Sequence, residues 1–476
     1  MSDTRLSDRY CTPVQVGARA GDTVEIDRLP PWSRESLQRA LETRAVRLAC
    51  AIVLVGLHLF VAVHFGKEHN LSFNEAPGAP PYYSNPMVEG APNLWDRLLV
   101  SRWDSVHYLG LALRGYGVCT PRPVPPDFLS NTGPCQLSFF PGYPLLGWLA
   151  SFGGRLPIDS VMLGISLVAS VIFLYLWTHE VLRRALGTGG CYLSLIAFNV
   201  FPAAFALVTI QTEPLVLAST LGCFIAVQTR RPTLGAILSG LATGIRITGV
   251  GVPVAYALCL LAGLWSERRK ITPGLALATL GRLALSAWGI AVMMGYQQYR
   301  FNDALIYLHS HGRAFQHEPS LSQVFIPDAD LIHRSISAFE HEGVWVAAAA
   351  LWLALGFRKS IECFTFSGKV FWIGLTVATL GIAMPGSVGL AYAGMIRYLL
   401  LELPLFFSIA VIGRRSVAAF VLWIALSAWN YYNFTLNFYL MHSPFVTHWT
   451  PNMVLPPRPG VVPPQPAPSL PGEPPP

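Results

Sequence analysis

The sequence predicts an all-α polytopic membrane protein organised as one integral membrane domain. Three observations carry that expectation. The 476 residues are 53% hydrophobic and only 12% charged, with a mean hydropathy of +0.45. Apolar runs close to the roughly twenty residues needed to cross a bilayer recur along the chain. Threading these runs alternately through a membrane puts Arg183/Arg184, Arg230/Arg231, Arg268/Arg269/Lys270, Arg358/Lys359/Lys369 and Arg414/Arg415 all on one side, as the bias toward basic cytoplasmic loops requires.

Taken in order, residues 1–44 are polar and charged, too hydrophilic for a secretion signal. The first apolar run, 45–65, is therefore read as a retained span. Arg34, Arg39, Arg44 and Arg47 precede or open it and place the N-terminus in the cytoplasm. Residues 66–157 form the first exoplasmic loop. Within it, 137–152 is too short to span and is punctuated by Pro141 and Pro144, which suits an interfacial or re-entrant helix. The later runs are 158–180, 190–210, 212–229, 233–250, 251–265, 273–296, 343–357, 368–386, 391–412 and 416–437. With the first, they make about eleven spans within a transmembrane domain of residues 45–440. A second long exoplasmic loop covers 297–342. The tail 441–476 is proline-rich, with twelve prolines after Trp449, a composition that favours disorder or polyproline II over packing. No internal repeat is visible.

The most informative stretch is Ser101 to Tyr116, in the first exoplasmic loop. Read as a helix at about 100° per residue, Trp95, Leu98, Leu99, Val106, Leu109 and Leu113 share one face. Asp104 points away from that face, flanked by Arg97, Ser101, His107 and Tyr108, with Arg102 on the apolar side and Val100 and Leu111 on the polar side as exceptions. Such a helix would lie in the membrane interface, apolar side to lipid, and hold a carboxylate toward water. A peripheral amphipathic helix with a merely solvated Asp fits the same pattern.

Arg102-Trp103-Asp104-Ser105-Val106-His107-Tyr108, followed by Gly115-Tyr116 and by Ser138-Phe139-Phe140-Pro141-Gly142-Tyr143-Pro144, resembles the PIG-V family of mannosyltransferases. These are the second mannosyltransferases of GPI-anchor assembly, and the family has many bacterial relatives. The resemblance implies a GT-C-like membrane fold with a catalytic first exoplasmic loop, a donor sugar on polyprenyl or dolichyl phosphate, and an exoplasmic lipid or glycan acceptor. It also implies Asp104 as the catalytic carboxylate, with Arg102, Trp103, His107 and Tyr108 around the substrate. The Ala/Gly/Pro/Arg-rich composition points to a bacterial plasma membrane. A eukaryotic relative would sit in the endoplasmic reticulum.

The chemistry is consistent with one carboxylate. An ionised phosphate leaves without a general acid, unlike the paired carboxylates of glycoside hydrolysis. One base that takes the acceptor proton suffices, and direct displacement inverts the anomeric centre. A phosphate also calls for cations, which are costly inside apolar runs. Arg246, in Thr243-Gly244-Ile245-Arg246-Ile247-Thr248-Gly249, resembles the family's Thr-Arg-Ser-Asn-Gly word, with Ile-Thr in place of Ser-Asn. Arg397 opens the 391–412 run and resembles the family's Arg-Tyr ahead of a proline, here Pro404. Either guanidinium suits a two-pronged grip on phosphate; snorkelling or pairing with a helix carbonyl is the plain alternative. Glu213, in Gln211-Thr212-Glu213-Pro214, resembles the family's Tyr-Ser/Thr-Glu word with Gln211 replacing the Tyr. It would partner Arg246 or a sugar hydroxyl, or serve as an ordinary turn carboxylate.

Other signals weigh less. Asp328-Ala329-Asp330 matches the DxD of nucleotide-sugar transferases, but the alternating strands and helices of a nucleotide-binding domain are not visible. His309, His311 and His317 have no acidic residue convincingly spaced with them, so no metal or other cofactor is implied. Of the eight cysteines, none pairs in a CxxC; Cys119 and Cys135 share the first loop and would close it for roughly 3 kcal/mol if bridged, or stay as thiols. No basic stripe is long enough to track a nucleic-acid backbone. Against the transferase stands a transporter for a lipid-linked glycan, which would lead one to expect repeats and broken helices meeting at mid-membrane. A non-catalytic subunit of a glycan-assembly complex is the third class.

Overall fold

A computed structural model describes residues 43–68, 104–116, 137, 139–266, 272–308, 343–388 and 395–440. Helices joined by turns make up the described residues, with no strand among them. In chain order the α-helices are α1 (Arg44–Glu68), α2 (Asp104–Arg114), α3 (Gly142–Ala150), α4 (Ile158–Trp177), α5 (Glu180–Asn199), α6 (Glu213–Gln228), α7 (Pro232–Ile245) and α8 (Gly251–Ser266). They continue with α9 (Pro273–Leu285), α10 (Trp288–Phe301), α11 (Gly343–Glu362), α12 (Phe366–Val388), α13 (Met395–Leu399), α14 (Leu403–Gly413) and α15 (Val417–Leu440).

Each apolar run expected after residue 157 contains helix among its described residues, but several runs are broken. Among the described residues, four helices are long and apolar enough to cross a membrane, Arg44–His64, Ile158–Trp177, Ile247–Ser266 and Phe366–Met384. The number rises to six when two bent pairs count as one span each. These are α5 with the 3-10 turn Pro202–Val208, bent by 87°, and α9 with α10, bent by 57°. Helices α6, α7 and α14 are apolar but shorter; sixteen residues of α6 reach only about 24 Å at about 1.5 Å per residue. The run 391–412 divides into α13 and α14, with Glu402 at the break and Pro404 in the first turn of α14. Proline is well placed there, because its missing N–H is one the helix start leaves unpaired anyway.

The interior is held by aromatic rings from α4, α5, α6, α12 and α14. Trp177 and Phe198 stand 5.0 Å apart, Phe198 and Phe406 5.0 Å, and Phe224 and Trp372 4.5 Å, all tilted or edge-on as ring quadrupoles prefer. On the outside, Phe60, Ile172, Leu261, Leu355, Val377 and Val421 are exposed. Apolar surface on both sides of a helix suits a lipid solvent.

Contacts also sort the bundle into two ends. At one, Arg47 bonds Thr178 and the Tyr175 carbonyl, Arg414 bonds the Leu186 carbonyl, and Gln228 bonds Thr365 and Ser367. These are all helix ends that the threading puts on the basic side. At the other end lie α2, α3, the turn before α6, the end of α7 and α13. Helix α3, nine residues long, is too short to span, and it exposes Leu145, Trp148 and Leu149 beside Phe152.

Candidate active site

Asp104 is the first residue of α2, where a carboxylate is favoured by the helix dipole. The helix does not stand alone but packs on the bundle. Ser105, Tyr108, Leu109, Leu111 and Ala112 are all buried, and Leu113 is exposed. Ser105 explains part of this: its hydroxyl donates to the Ile210 carbonyl at 3.0 Å and accepts from the Gln211 side chain at 3.3 Å. Tyr108 adds an edge-on contact with Tyr143 at 5.7 Å and meets the Thr212 hydroxyl at 3.4 Å. The helix is thus docked onto the turn before α6. Asp104 stands on the same side of the helix as Tyr108 and Leu111, opposite the exposed Leu113, and there it meets a partner.

That partner is Arg397. Its Nη1 donates to Asp104 Oδ2 at 2.7 Å, its Nε to Glu213 Oε1 at 2.7 Å, and its Nη2 to Gln211 Oε1 at 2.8 Å. Nη2 also lies 2.6 Å from Glu213 Oε1. Arg246 reaches the same Glu213 oxygen through Nη1 at 2.6 Å, and the Thr212 hydroxyl at 3.4 Å. Its guanidinium carbon sits 5.0 Å from the centre of the Tyr398 ring, a cation–π distance. Two guanidiniums and two carboxylates therefore form one connected quartet. The Glu213 side chain is fully buried, those of Arg397 and Arg246 are 8% and 11% exposed, and that of Asp104 is 30% exposed.

Local backbone explains how these residues arrive. Arg246 is extended, ending α7 before the 3-10 turn Ile247–Val250, so its side chain leaves from a break rather than from a helix face. Arg397 stands on the five-residue α13. Glu213 begins α6 directly ahead of Pro214. The end of α7 is positioned by close backbone approach: a Cβ on Gly289 of α10 would collide with the Gly240 carbonyl and the Gly244 amide, and one on Gly142 of α3 with the Gly244 carbonyl. The Ile290 amide also donates to the Thr243 hydroxyl at 3.0 Å.

Around the quartet, His107 stacks on Phe139 with centroids 4.4 Å apart. Burial pushes its imidazole below the ordinary value of 6.5, and Asp104 opposes that shift. The ring is therefore neutral at pH 7 and adds no third cation. Tyr108 stands beside Thr212 and the quartet. Arg102, Trp103, Asp96, the cysteine pair Cys119/Cys135, the three loop histidines and Asp328/Asp330 lie outside the described residues. The sequence marks Gln211 only by its replacing a Tyr, and its bonds to Arg397 and Ser105 come from the contacts. Tyr398, which follows Arg397 in the chain, carries no signal of its contact with Arg246. Among the described residues no group of three His, Cys, Asp or Glu could hold a metal ion.

Chemically, the arrangement offers a partly exposed carboxylate whose orientation is fixed by one guanidinium N–H. Beside it, Nε and Nη2 of Arg246 donate to none of the described residues. A partly exposed carboxylate and a guanidinium edge thus share one end of the bundle. Comparison with protein-family models, with curated proteins and with solved structures returns no match.

Proposed function

We propose that this chain is a membrane glycosyltransferase, a mannosyltransferase by resemblance, that moves a sugar from polyprenyl or dolichyl phosphate to an exoplasmic lipid or glycan acceptor. The observation that carries the reading is the joining of Asp104 to Arg397, Glu213 and Arg246 at one end of a bundle of apolar helices. Four positions picked separately from sequence words meet there, in a combination that suits a base beside a phosphate. In this reading Asp104 takes the acceptor proton, Arg246 grips the phosphate through Nε and Nη2, and Glu213 and Gln211 hold Arg397 in place. His107, Tyr108, Trp103 and Arg102 border the sugar. The finer topology belongs to the same proposal: about eleven spans in a GT-C-like order, a cytoplasmic N-terminus, and the quartet on the exoplasmic face of a bacterial plasma membrane.

The test is transfer by the purified chain supplied with candidate polyprenyl-phosphate sugars and acceptors. Asp104→Asn keeps shape and some hydrogen bonding while removing the base, and a general base contributes roughly 10²–10⁴-fold, so transfer should fall by that order. Asp96→Asn is the comparison from the same loop. Loss with Asp96→Asn and full activity with Asp104→Asn would show the wrong carboxylate.

A second reading, a transporter for a lipid-linked glycan, draws support from the breaks at Arg246 and between α13 and α14, because transporter sites favour broken helices. Detergent solution separates the two. A transferase forms product there, whereas a transporter acts only across a closed membrane.

A further inference from the structure

The quartet is electrically balanced, with Asp104 and Glu213 against Arg246 and Arg397. Among the quartet's own groups a phosphate finds no surplus cation unless one carboxylate yields. The two carboxylates are not equivalent. Glu213 is fully buried and held by N–H groups of both arginines, whereas Asp104 is 30% exposed and held through Arg397 Nη1. Asp104 is the one that can give way. Arg397 need not move far for this. Its Nε and Nη2 stay anchored on Glu213 and Gln211 while Nη1 changes partner.

We infer that Arg397 is a shared cation, held by Asp104 at rest and passed to the phosphate as sugar transfer proceeds. The inference rests on the transferase reading above and deepens it. In the transfer step the acceptor O–H bond breaks and its proton goes to Asp104. The acceptor oxygen bonds to the anomeric carbon, and the bond from that carbon to the phosphate oxygen breaks with its electron pair. The donor phosphodiester, with one negative charge, leaves as a monoester carrying a second. Asp104 loses its charge in the same step. Total charge is unchanged; one negative charge has moved from Asp104 to the phosphate. Arg397 Nη1 is the group between those two claimants, so its hold on the phosphate strengthens as the charge arrives. An interaction realised only as the barrier is crossed raises turnover rather than ground-state binding.

The consequence is opposite to that of an ordinary binding-site mutation: removing the base should tighten the hold on the leaving phosphate. The probe is geranyl phosphate, a short isoprenyl phosphate, titrated calorimetrically into the full chain in detergent. The comparison runs across the wild type, Asp104→Asn and the double variant Asp104→Asn/Arg397→Gln. Asp104→Asn should bind about tenfold more tightly or better, since couplings between close charges commonly exceed that size, and Arg397→Gln should abolish the gain. Asp104→Ser carries the same comparison should the Asn variant not fold. Binding to the wild type with equal or weaker binding to Asp104→Asn would overturn the shared cation and leave the transferase reading standing. So would a gain that persists without Arg397. Failure of geranyl phosphate to bind the wild type and Asp104→Asn alike would overturn both.

Discussion

Replacing Arg246 with Lys keeps a positive charge for Glu213 but removes the Nε and Nη2 donors that no described residue uses. A planar fork and a point charge are not equivalent on phosphate. Donor KM should therefore rise by about tenfold with a smaller change in kcat. Arg397→Lys removes the bridge between Asp104 and Glu213, so it should lower kcat more than it raises KM. Steady-state kinetics on the two variants checks this, and identical profiles would refute the division of labour. These residues were individually legible in the sequence, because a guanidinium inside an apolar run and an Asp on an amphipathic stretch stand out against their surroundings. Their mutual contacts were not, since nothing local in the sequence says which of two arginines meets which carboxylate. Gln211 and Glu402 were harder still. Gln211 gains meaning only from its bond to Arg397, and Glu402, fully buried, sits in a run of leucines that reads as plain span.

At the scale of elements, the seam between α7 and α10 decides where Arg246 stands. A Cβ on Gly289 would enter the backbone of Gly240 and Gly244, and backbone cannot turn aside as a flexible side chain can. Gly289→Ala should cost about 1–3 kcal/mol and reduce activity by shifting the α7 terminus. Gly295→Ala, on the same helix with open space around it, should leave both unchanged or slightly improved, since Ala is the better helix former. Thermal unfolding in detergent measures the pair, and equal effects would deny the seam its positioning role. The helices were legible from apolar runs, and α3 from its prolines. The breaks were not. A run such as 391–412 stays mostly apolar through α13 and α14 despite Arg397 and Glu402, so hydropathy sees one span where the backbone makes two pieces. The docking of α2 is hidden from the sequence for a related reason: periodicity separates apolar from polar, but cannot tell lipid from protein as the apolar neighbour.

For the molecule as a whole, basic helix ends gather at one end of the bundle and the quartet at the other. The expected orientation follows from the placing of Arg and Lys, and Ser130→Cys and Ser320→Cys should both label only from the exoplasmic side. Labelling of both from the cytoplasm would invert the topology and remove the proposed chemistry from its acceptor.

The quartet also spans time. Asp104 and Arg397 are 293 positions apart, and a chain made from its N-terminus presents Asp104, Glu213 and Arg246 well before Arg397 exists. Glu213 can pair early with Arg246. Asp104 has to wait for α13, so the site is completed among the last steps of synthesis. A chain ended after Val388 should insert its earlier helices yet leave Gln211 without its guanidinium cover. A cysteine at position 211, buried in the complete chain, should then react with a thiol reagent in the shortened one. Equal protection in both would mean that the turn before α6 is sealed without Arg397, and that the latch closes earlier than its chemistry requires.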